Sequence, residues 1–455
     1  MNTDKQRDPS LAVELLAIGD VHLGTRCSGL PPDVRDWGIN ADELTPATAL
    51  ASAVDLAIGR DVDAVLFAGD VVESTNARFE AILPFERNIR RLAAAGIDVI
   101  AVAGNHDVEA LPRLAGLMDG FAVLGAGGRW ARHVIKRDGR PLAEIIGWSF
   151  GERAVRQSPV ADLLSNPLEA HAPGLPRIGL LHADLEASGG HYAPIKQREL
   201  DAAGLDAWLL GHIHKPSLSA PATGKRTAPS GYLGSLIGLD PSETGPHGPW
   251  LIKIDAQNAV HVEQVPNALL RWENITVEID DILDVEDVGD RLLRAAEESA
   301  RQLNETAVNP RVLGLRVRLA GASAHYQAIR RAISDGKWNM MARPVGDTMV
   351  FVNKVLDGLE LPLDLMEISA GNDPAALLAG RILALQGNDG SAQPLLRDYR
   401  ARLFDTARDD RWSPLNDQRD APDPLDDTHL RELLLRAAKA ALYAMLEQQN
   451  TGAPS

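Results

Sequence analysis

The sequence predicts a layered α/β protein in which metal-binding side chains gather at the ends of strands. Short apolar segments typical of buried strands alternate with segments of helical character. Several apolar segments end in a glycine or another small residue that is followed by Asp, Asn or His. Because layered α/β sheets place their sites at the carboxyl ends of strands, we expect these polar side chains to converge.

Five predicted strands end in such a motif. They cover residues 15–19, 63–68, 99–103, 178–181 and 206–210, and the motifs that follow contain DVH, GD, GNHD, HAD and GHIH. Helices are predicted between them over 48–58 and 85–95. Pro84 is expected to open the second helix and Gly96 to close it.

Composition limits the classes of protein and of site. The chain has 455 residues, 45% of them apolar and 24% charged, as in ordinary globular proteins. Its single cysteine, Cys27, excludes an internal disulfide and a cysteine-rich zinc module. A metal would therefore need His, Asp, Glu or Asn ligands.

Charge and hydropathy also restrict partners and compartment. No stretch approaches 18 consecutive apolar residues, and the start, MNTDKQRDPS, has no apolar signal core, so we expect a cytoplasmic protein without a membrane span. The formal net charge of -17 argues against a protein that coats nucleic acid by bulk electrostatics.

The GHIH motif raises the possibility of metal ligands. His212 and His214 are two residues apart after a predicted strand, so their side chains would point the same way. Taken alone, the pair has a second interpretation as two solvated loop histidines. The other strand ends add further ligand types, and the seven candidate metal ligands are Asp20, His22, Asp70, Asn105, His182, His212 and His214.

This set has the size of a two-metal site. If the Asp70 carboxylate bridges, seven side chains make eight bonds, four to each of two divalent ions. Mixed oxygen and imidazole ligands suit manganese, iron or zinc better than calcium. We expect manganese, with iron and zinc as alternatives.

The order D-x-H, G-D, G-N-H-D, H and G-H-x-H resembles the calcineurin-like metallophosphoesterase superfamily. The resemblance implies a β-sandwich flanked by helices. It also implies that one ion is held by Asp20, His22, Asp70 and His214, and the other by Asp70, Asn105, His182 and His212. His106 would be the catalytic histidine beside the scissile phosphate, with Asp107 as its orienting partner. Such a centre polarises phosphoryl oxygens and activates water, and His106 would stabilise charge or protonate the leaving oxygen.

Longer stretches are similar to one branch of that superfamily. GDVHLG, HYAPIKQRELDAAGLDAWLLGHIHKP and SGYLGSLIGLDPSETGPHGPWLIKID resemble bacterial SbcD-type DNA repair exonucleases. The resemblance implies a two-metal-dependent DNA nuclease in double-strand-break or end-processing repair, with DNA and an SMC-like ATPase as partners and a homodimer as a further candidate assembly. Two alternatives stay open: a small-molecule or protein phosphoesterase with the same site, and a scaffold for DNA and ATPase with little catalysis.

Three domains are predicted. Residues 1–270 would form the nuclease domain, 271–356 a smaller α+β cap that recognises DNA, and 357–455 a C-terminal helical segment with an acidic linker. Within the cap, residues 311–354 contain eight basic and two acidic residues. The alternating stretch LGLRVRLAG places Arg316 and Arg318 on one strand face, where they would contact DNA phosphates or form a solvated charged surface.

Three features have less definite interpretations. The terminal helix predicted over 429–447 either docks the ATPase or folds back on its own domain. Glu73 occupies a position where some members of the wider nuclease family carry a histidine, so its role is open. The long stretch 23–44 is expected to be an insertion that shapes access to the site.

Overall fold

The computed structural model describes residues 11–451 apart from 33, 74–78, 187–189, 220–227, 281, 283, 306–309, 324, 361–362, 388–389 and 408–425. The chain divides into two compact units. The first comprises Met1–Val277, Glu286–Leu319 and Arg331–Asp357, and the second comprises Glu278–Val285, Ala320–Arg330 and Gly358–Ser455. The predicted division into three domains stays a prediction.

Strands and helices alternate along most of the chain. The strands are β1 (Leu11–Ile18), β2 (Ala64–Phe67), β3 (Asp98–Ala101), β4 (Phe121–Val123), β5 (Trp130–Arg137), β6 (Arg140–Trp148), β7 (Arg177–His182), β8 (Ala207–Gly211), β9 (Ser230–Tyr232), β10 (Trp250–Asp255), β11 (Val260–Gln264), β12 (Leu270–Glu278), β13 (Val312–Ala322), β14 (Ala342–Val345) and β15 (Thr348–Glu360). The helices are α1 (Pro46–Arg60), α2 (Phe79–Ala94), α3 (Ala110–Ala115), α4 (Pro159–Ser165), α5 (Gln197–Ala203), α6 (Asp287–Glu305), α7 (Tyr326–Ser334), α8 (Leu365–Ser369), α9 (Pro374–Gln386), α10 (Gln393–Ala407) and α11 (Asp427–Thr451).

Two sheets of the first unit carry the five predicted strand ends. A six-stranded sheet has the order β11-β10-β1-β2-β3-β4, and a five-stranded sheet has the order β5-β6-β7-β8-β9. Strands β1, β2 and β3 run parallel, with Ile18 level with Phe67 and Phe67 level with Ala101. Strands β7 and β8 are also parallel, with His182 level with Gly211. The carboxyl ends within each sheet therefore lie side by side.

The two sheets share an apolar core, and helices cover their outer faces. Leu15 and Leu66 of the first sheet belong to the same buried cluster as Leu180 and Leu209 of the second. The outer face of the first sheet packs in a cluster that includes residues of α1 and α2, and that of the second packs with residues of α4 and α5. This arrangement confirms the predicted β-sandwich flanked by helices.

The predicted start of the second helix is wrong. Helix α2 begins at Phe79, so Pro84 lies inside it and does not open it. Proline inside a helix removes one backbone hydrogen bond. Phe85 and Ile89 are buried in the core against the first sheet, and the burial of this apolar face offsets the lost bond. Gly96 follows the helix with a φ of 76°, as expected for a helix end.

A third sheet forms the α+β part of the chain. Its order is β12-β13-β15-β14, and α6 packs beside β14. Trp272 is fully buried and contacts Phe351 with ring centroids 5.7 Å apart. A Cβ atom on Gly314 would lie 2.0 Å from the Trp272 ring, so only glycine fits there. The predicted strand around Arg316 and Arg318 is confirmed as β13.

The second unit contains the C-terminal helices. Leu442 of α11 packs with Ile382 of α9, and Leu430 of α11 packs with Leu396 of α10. The predicted terminal helix is therefore confirmed, and its apolar residues contact helices of its own unit. Most of the predicted acidic linker, residues 408–425, lies outside the described residues. Among the helices that are described, none is both long and apolar enough to cross a lipid bilayer.

Candidate metal centre

All seven predicted ligands lie at the strand ends, where the two sheets meet. In the six-stranded sheet, β1 is followed by Asp20 and His22, β2 by Asp70, and β3 by Asn105. In the five-stranded sheet, β7 ends on His182, and β8 is followed by His212 and His214. Asp20, His22, Asp70, Asn105 and His182 are buried, and the two remaining histidines are half-buried.

The backbone at this edge has an uncommon conformation. His22, Asp70 and His212 have φ angles of 52°, 48° and 104°, in or beyond the left-handed region that residues with a side chain seldom adopt. Each such residue costs about 1–3 kcal/mol, which the surrounding contacts must offset. Gly104 leaves room for the turn, because a Cβ atom there would lie 2.2 Å from Asp70 Oδ1. Strain concentrated at one edge is typical of functional sites.

Two groups of the predicted ligands have the geometry of metal sites, and His22 forms a third such group with Glu73 and His106. The atoms of Asp20, His22 and His214 that could bind an ion lie within 4.8 Å of one another, and so do those of Asp70, His182 and His212. Asp70 lies between the groups, because its Oδ2 is 3.3 Å from His182 Nε2 and 4.0 Å from His22 Nε2. Asn105 joins the second group, with Oδ1 3.0 Å from His182 Nε2.

The orientation of the imidazoles shows that these groups suit a cation. His22 Nε2 and His214 Nε2 face each other at 3.0 Å, while the Nδ1 atoms of both rings face carboxylates of Glu73 and Glu243. Since a neutral imidazole has one N–H, donation from Nδ1 leaves a lone pair on each Nε2. Two lone pairs at that distance repel each other unless a proton or a metal ion lies between them.

The second group has the same requirement. His182 Nδ1 lies 3.0 Å from the main-chain oxygen of Ala68, so Nδ1 is the N–H donor of the neutral ring. Its Nε2 then faces two acceptor oxygens, from Asn105 and Asp70. These residues fit a pair of divalent ions, one in each group, with the Asp70 carboxylate between them.

In the metal-free centre, burial and neighbouring charges shift the pKa values of the buried groups. Burial alone would lower the pKa of His182, but the adjacent Asp70 carboxylate outweighs it and raises the pKa to about 9. Burial would likewise raise the pKa of Asp70, and His182 outweighs that effect and lowers it. By contrast, burial lowers the pKa of His22. Below a pH of about 9 the imidazole of His182 is therefore protonated, and an ion that binds its Nε2 would displace that proton.

The contacts of His106 differ from the prediction. Its Nδ1 lies 2.8 Å from a carboxylate oxygen of Glu73, and its main-chain N–H donates to Asp70 Oδ1 at 2.9 Å. The orienting carboxylate is therefore that of Glu73, whose role the sequence left open. The same oxygen of Glu73 is 3.4 Å from His22 Nδ1, so one carboxylate contacts the candidate acid and a candidate ligand.

Asp107 has a different set of hydrogen bonds. Its fully buried carboxylate accepts the main-chain N–H of Val71 at 2.7 Å and that of Gly104 at 2.8 Å. Asp107 thus links the loop after β2 to the loop after β3, and the prediction that it orients His106 is corrected. Burial, with the nearby charge of Asp70, raises the pKa of Asp107 to about 7. Its role in the structure is to hold the loops that carry Asp70 and Asn105.

A family comparison identifies the domain that this site belongs to. Residues 13–216, which contain all seven predicted ligands, match the family model of the calcineurin-like phosphoesterases. These residues form a calcineurin-like metallophosphoesterase domain. The predicted superfamily is confirmed. The SbcD branch within it stays a prediction.

Relatives of the metallophosphoesterase domain include proteins named for DNA repair. The chain is 29% identical over 57% of its length to the uncharacterized metallophosphoesterase YhaO of Bacillus subtilis, and covers 62% of that protein. It is 28% identical over 51% of its length to the DNA double-strand break repair protein Mre11 of Haloferax volcanii, and covers 48% of it. It therefore spans less than two thirds of these two relatives. The chain is also similar to a solved dimetal phosphatase from Danio rerio, with 14% sequence identity and a TM-score of 0.34. The match covers 56% of this chain and 99% of that chain.

Two further carboxylates of the metallophosphoesterase domain contact its candidate ligands, and the sequence interpretation missed both. Asp184 lies 3.1 Å from His212 Nε2, and Glu243 lies 2.7 Å from His214 Nδ1. Asp184 is two residues after His182 in the HAD motif, which was a usable signal. Glu243 is 29 residues from His214 in the sequence, in a loop without a metal-binding pattern, so only the fold reveals it.

The two arginines predicted to bind DNA do not contact the metal centre. Arg316 is half-buried and Arg318 exposed, on the face of β13 opposite the buried Leu315 and Val317. Arg316 is close enough to Asp240 to help lower the pKa of that carboxyl, after the larger effect of hydrogen bonds from Ser242. One face of β13 therefore presents positive charge near the loop that carries Glu243. The DNA-binding role of these residues stays a prediction.

Proposed function

We propose that this protein is a manganese-dependent nuclease that hydrolyses DNA phosphodiesters. The observation that carries the proposal is the convergence of seven ligand-type side chains with the His106–Glu73 pair at one edge of the metallophosphoesterase domain. The choice of DNA is supported by the relatives named for double-strand break repair and by the basic face of β13. Manganese is proposed on the mixed oxygen and nitrogen ligand set.

When bound, the two ions would polarise the phosphoryl oxygens and supply a water of lowered pKa as nucleophile. Asp20, His22, Asp70 and His214 would hold one ion, and Asp70, Asn105, His182 and His212 the other. Asp107 would keep the loops that carry these residues in place through its bonds to the main chain of Val71 and Gly104.

His106 would act on the leaving oxygen. With Nδ1 hydrogen-bonded to Glu73, its other ring nitrogen, Nε2, is the atom that can donate a proton. The imidazole is 42% exposed, so a substrate can approach it. Glu73 fixes the ring plane by accepting from Nδ1–H, and donation from Nε2 requires the imidazolium, in which both ring nitrogens carry hydrogen. General acid catalysis of this type contributes about 10² to 10⁴ in rate.

The proposal includes a wider role in the repair of DNA ends in the cytoplasm, together with an SMC-like ATPase. It rests on the resemblance to repair exonucleases. The sequence has neither a G-x-x-x-x-G-K-S/T phosphate-binding loop nor a Rossmann fingerprint. ATP hydrolysis would then come from the partner. A homodimer is a further part of this proposal. Co-expression with a candidate ATPase, followed by size-exclusion chromatography, tests both assemblies.

The central experiment compares two substrates. Wild-type protein with Mn²⁺ should release nucleotides from duplex DNA with defined ends and should also hydrolyse a small aryl phosphodiester. His106→Ala should keep both ions and lose about 10²-fold or more of the rate on DNA. A protein that hydrolyses the aryl ester but leaves all DNA substrates intact would contradict the nuclease assignment and favour a small-substrate phosphoesterase.

A further inference from the structure

The two histidines of the GHIH motif contact different carboxylates through different ring nitrogens. We propose that Glu243 and Asp184 are positioning residues that set which nitrogen of His214 and of His212 binds metal, and that each controls the affinity of one ion. This inference rests on the two-metal centre of the proposed function, but it does not depend on DNA as the substrate.

Glu243 holds His214 from outside the ligand set. Its Oε1 lies 2.7 Å from His214 Nδ1, while Oε2 accepts the hydroxyl of Ser235 at 3.0 Å and the main-chain N–H of Leu239 at 2.9 Å. The main-chain oxygen of Glu243 is in turn 3.1 Å from Nε2 of the buried His247. A carboxylate held at both oxygens fixes the ring plane of His214 and makes Nδ1 the donor. Nε2, which faces His22, is then the ligand atom.

Asp184 has the opposite effect on His212. Its Oδ1 lies 3.1 Å from His212 Nε2, so Nε2 is the donor and Nδ1 remains for the metal. The main chain of Asp184 is anchored by hydrogen bonds to Tyr192 and Ile195, at 2.9 and 2.8 Å. The His212 main-chain N–H donates to the Asp20 carboxylate at 3.1 Å, which ties the backbone of His212 to the centre.

The two contacts act on separate ions. His214 shares its group with Asp20 and His22, whereas His212 shares its group with Asp70 and His182. A carboxylate behind an imidazole ligand both orients the ring and raises its basicity, and losing such a partner commonly weakens metal binding about 10- to 100-fold. Loss of either carboxylate should therefore lower the affinity for one ion and leave the affinity for the other ion unchanged.

The test uses metal-free protein titrated with Mn²⁺ by calorimetry, so that no activity is needed. Wild type should bind two ions. Glu243→Gln and Asp184→Asn should each lower the affinity for one ion about 10-fold, with the other affinity changed by less than about twofold, and Glu243→Ala should have the larger effect. Electron paramagnetic resonance at one equivalent of Mn²⁺ should then show isolated ions in both variants, on different ligand sets.

Asp240→Asn is the matched control. It removes a carboxylate from the same loop, but Asp240 contacts Ser28 and Ser242 and no candidate ligand. The affinities of Asp240→Asn for the two Mn²⁺ ions should equal those of wild type. Unchanged affinities in Glu243→Gln and Asp184→Asn would overturn the inference. A joint loss of both ions with a lower melting temperature of the metal-free variant would also overturn it, because the role would then be structural. Wild type that binds no ion pair would instead refute the metal-dependent function itself.

Discussion

Asp70 contacts several groups of the candidate metal centre. It lies between the two groups of candidate ligands, it accepts the main-chain N–H of His106, and its backbone is left-handed. Asn tolerates that backbone better than Ala, and it can keep the hydrogen bond while losing the charge. Two variants therefore separate the charge of Asp70 from its effect on the loop.

We predict that Asp70→Asn and Asp70→Ala both abolish hydrolysis and lower the bound metal from two ions toward zero. The physical reason is that one carboxylate serves both ions, so its loss weakens the two sites together. Metal content by mass spectrometry after gel filtration checks the prediction. Asp55→Asn, which alters an exposed carboxylate on α1 that pairs with Arg91, is the control. Two ions retained by Asp70→Asn would contradict the bridging role.

The protonation of His182 leads to a prediction about pH. In the metal-free protein the pKa of His182 is raised to about 9, so below that pH a proton occupies the nitrogen that the ion needs. Metal binding must release this proton, and affinity for Mn²⁺ should therefore rise with pH between about 6 and 9. Calorimetry at pH 7 in buffers of different ionisation enthalpy should show net proton release. Binding without proton release would contradict a protonated His182.

At the scale of secondary structure, the sequence predicted the strand ends well because their signal is local. An apolar run, a glycine and a polar residue within about six positions are enough to locate Asp20, Asp70 and Asn105. Glu73 beside His106 and Glu243 beside His214 could not be predicted in this way, since they depend on how loops from distant strands approach. Asp107 shows the converse, because the resemblance implied that it orients His106, whereas its carboxylate accepts the main-chain N–H groups of Val71 and Gly104.

The same distinction applies to the helices. A helix was predicted over 85–95, but its expected start was placed at Pro84, because proline is over-represented at the first position of helices. The helix begins at Phe79, and its residues Ala81, Phe85 and Ile89 pack in the core against the first sheet. Packing of this kind involves residues far apart in sequence and is not visible in a short window.

Strand β13 provides a prediction about DNA binding. If Arg316 and Arg318 contact phosphates, replacing both with Glu should weaken DNA binding and lower the slope of log K against log salt by about 0.9 for each lost contact. Hydrolysis of a small aryl phosphodiester should barely change, because these residues do not contact the candidate ligands. Fluorescence anisotropy over a range of salt concentrations measures the slope.

The control for this pair is Arg140→Glu with Lys136→Glu, a double charge reversal on the β5–β6 hairpin. It should leave the salt slope unchanged. If the β13 variant had unchanged DNA affinity and an unchanged salt slope, these arginines would not be DNA contacts. Circular dichroism must show that the third sheet is intact, since a loss of both activities together would reflect unfolding.

At the scale of the whole molecule, the metal centre joins the two sheets of the first unit. Asp20, Asp70 and Asn105 follow strands of the six-stranded sheet, while His182 and His212 come from the five-stranded sheet. Ions bound between them would therefore cross-link both halves of the β-sandwich. Any ligand that binds the folded state alone adds stability, about 2.7 kcal/mol at a concentration 100 times its Kd.

We therefore predict that Mn²⁺ raises the melting temperature of the metal-free protein by several degrees, as about 1 kcal/mol shifts a large domain by roughly 2–4 °C. Chelation should reverse the shift. Differential scanning calorimetry should place the gain in the transition of the first unit, with the transition of the C-terminal helices unchanged if the two units melt separately. Asp70→Asn should lose the Mn²⁺-dependent gain, because it loses the ions. An equal Mn²⁺ shift in Asp70→Asn would show that the ion stabilises the protein from a different site.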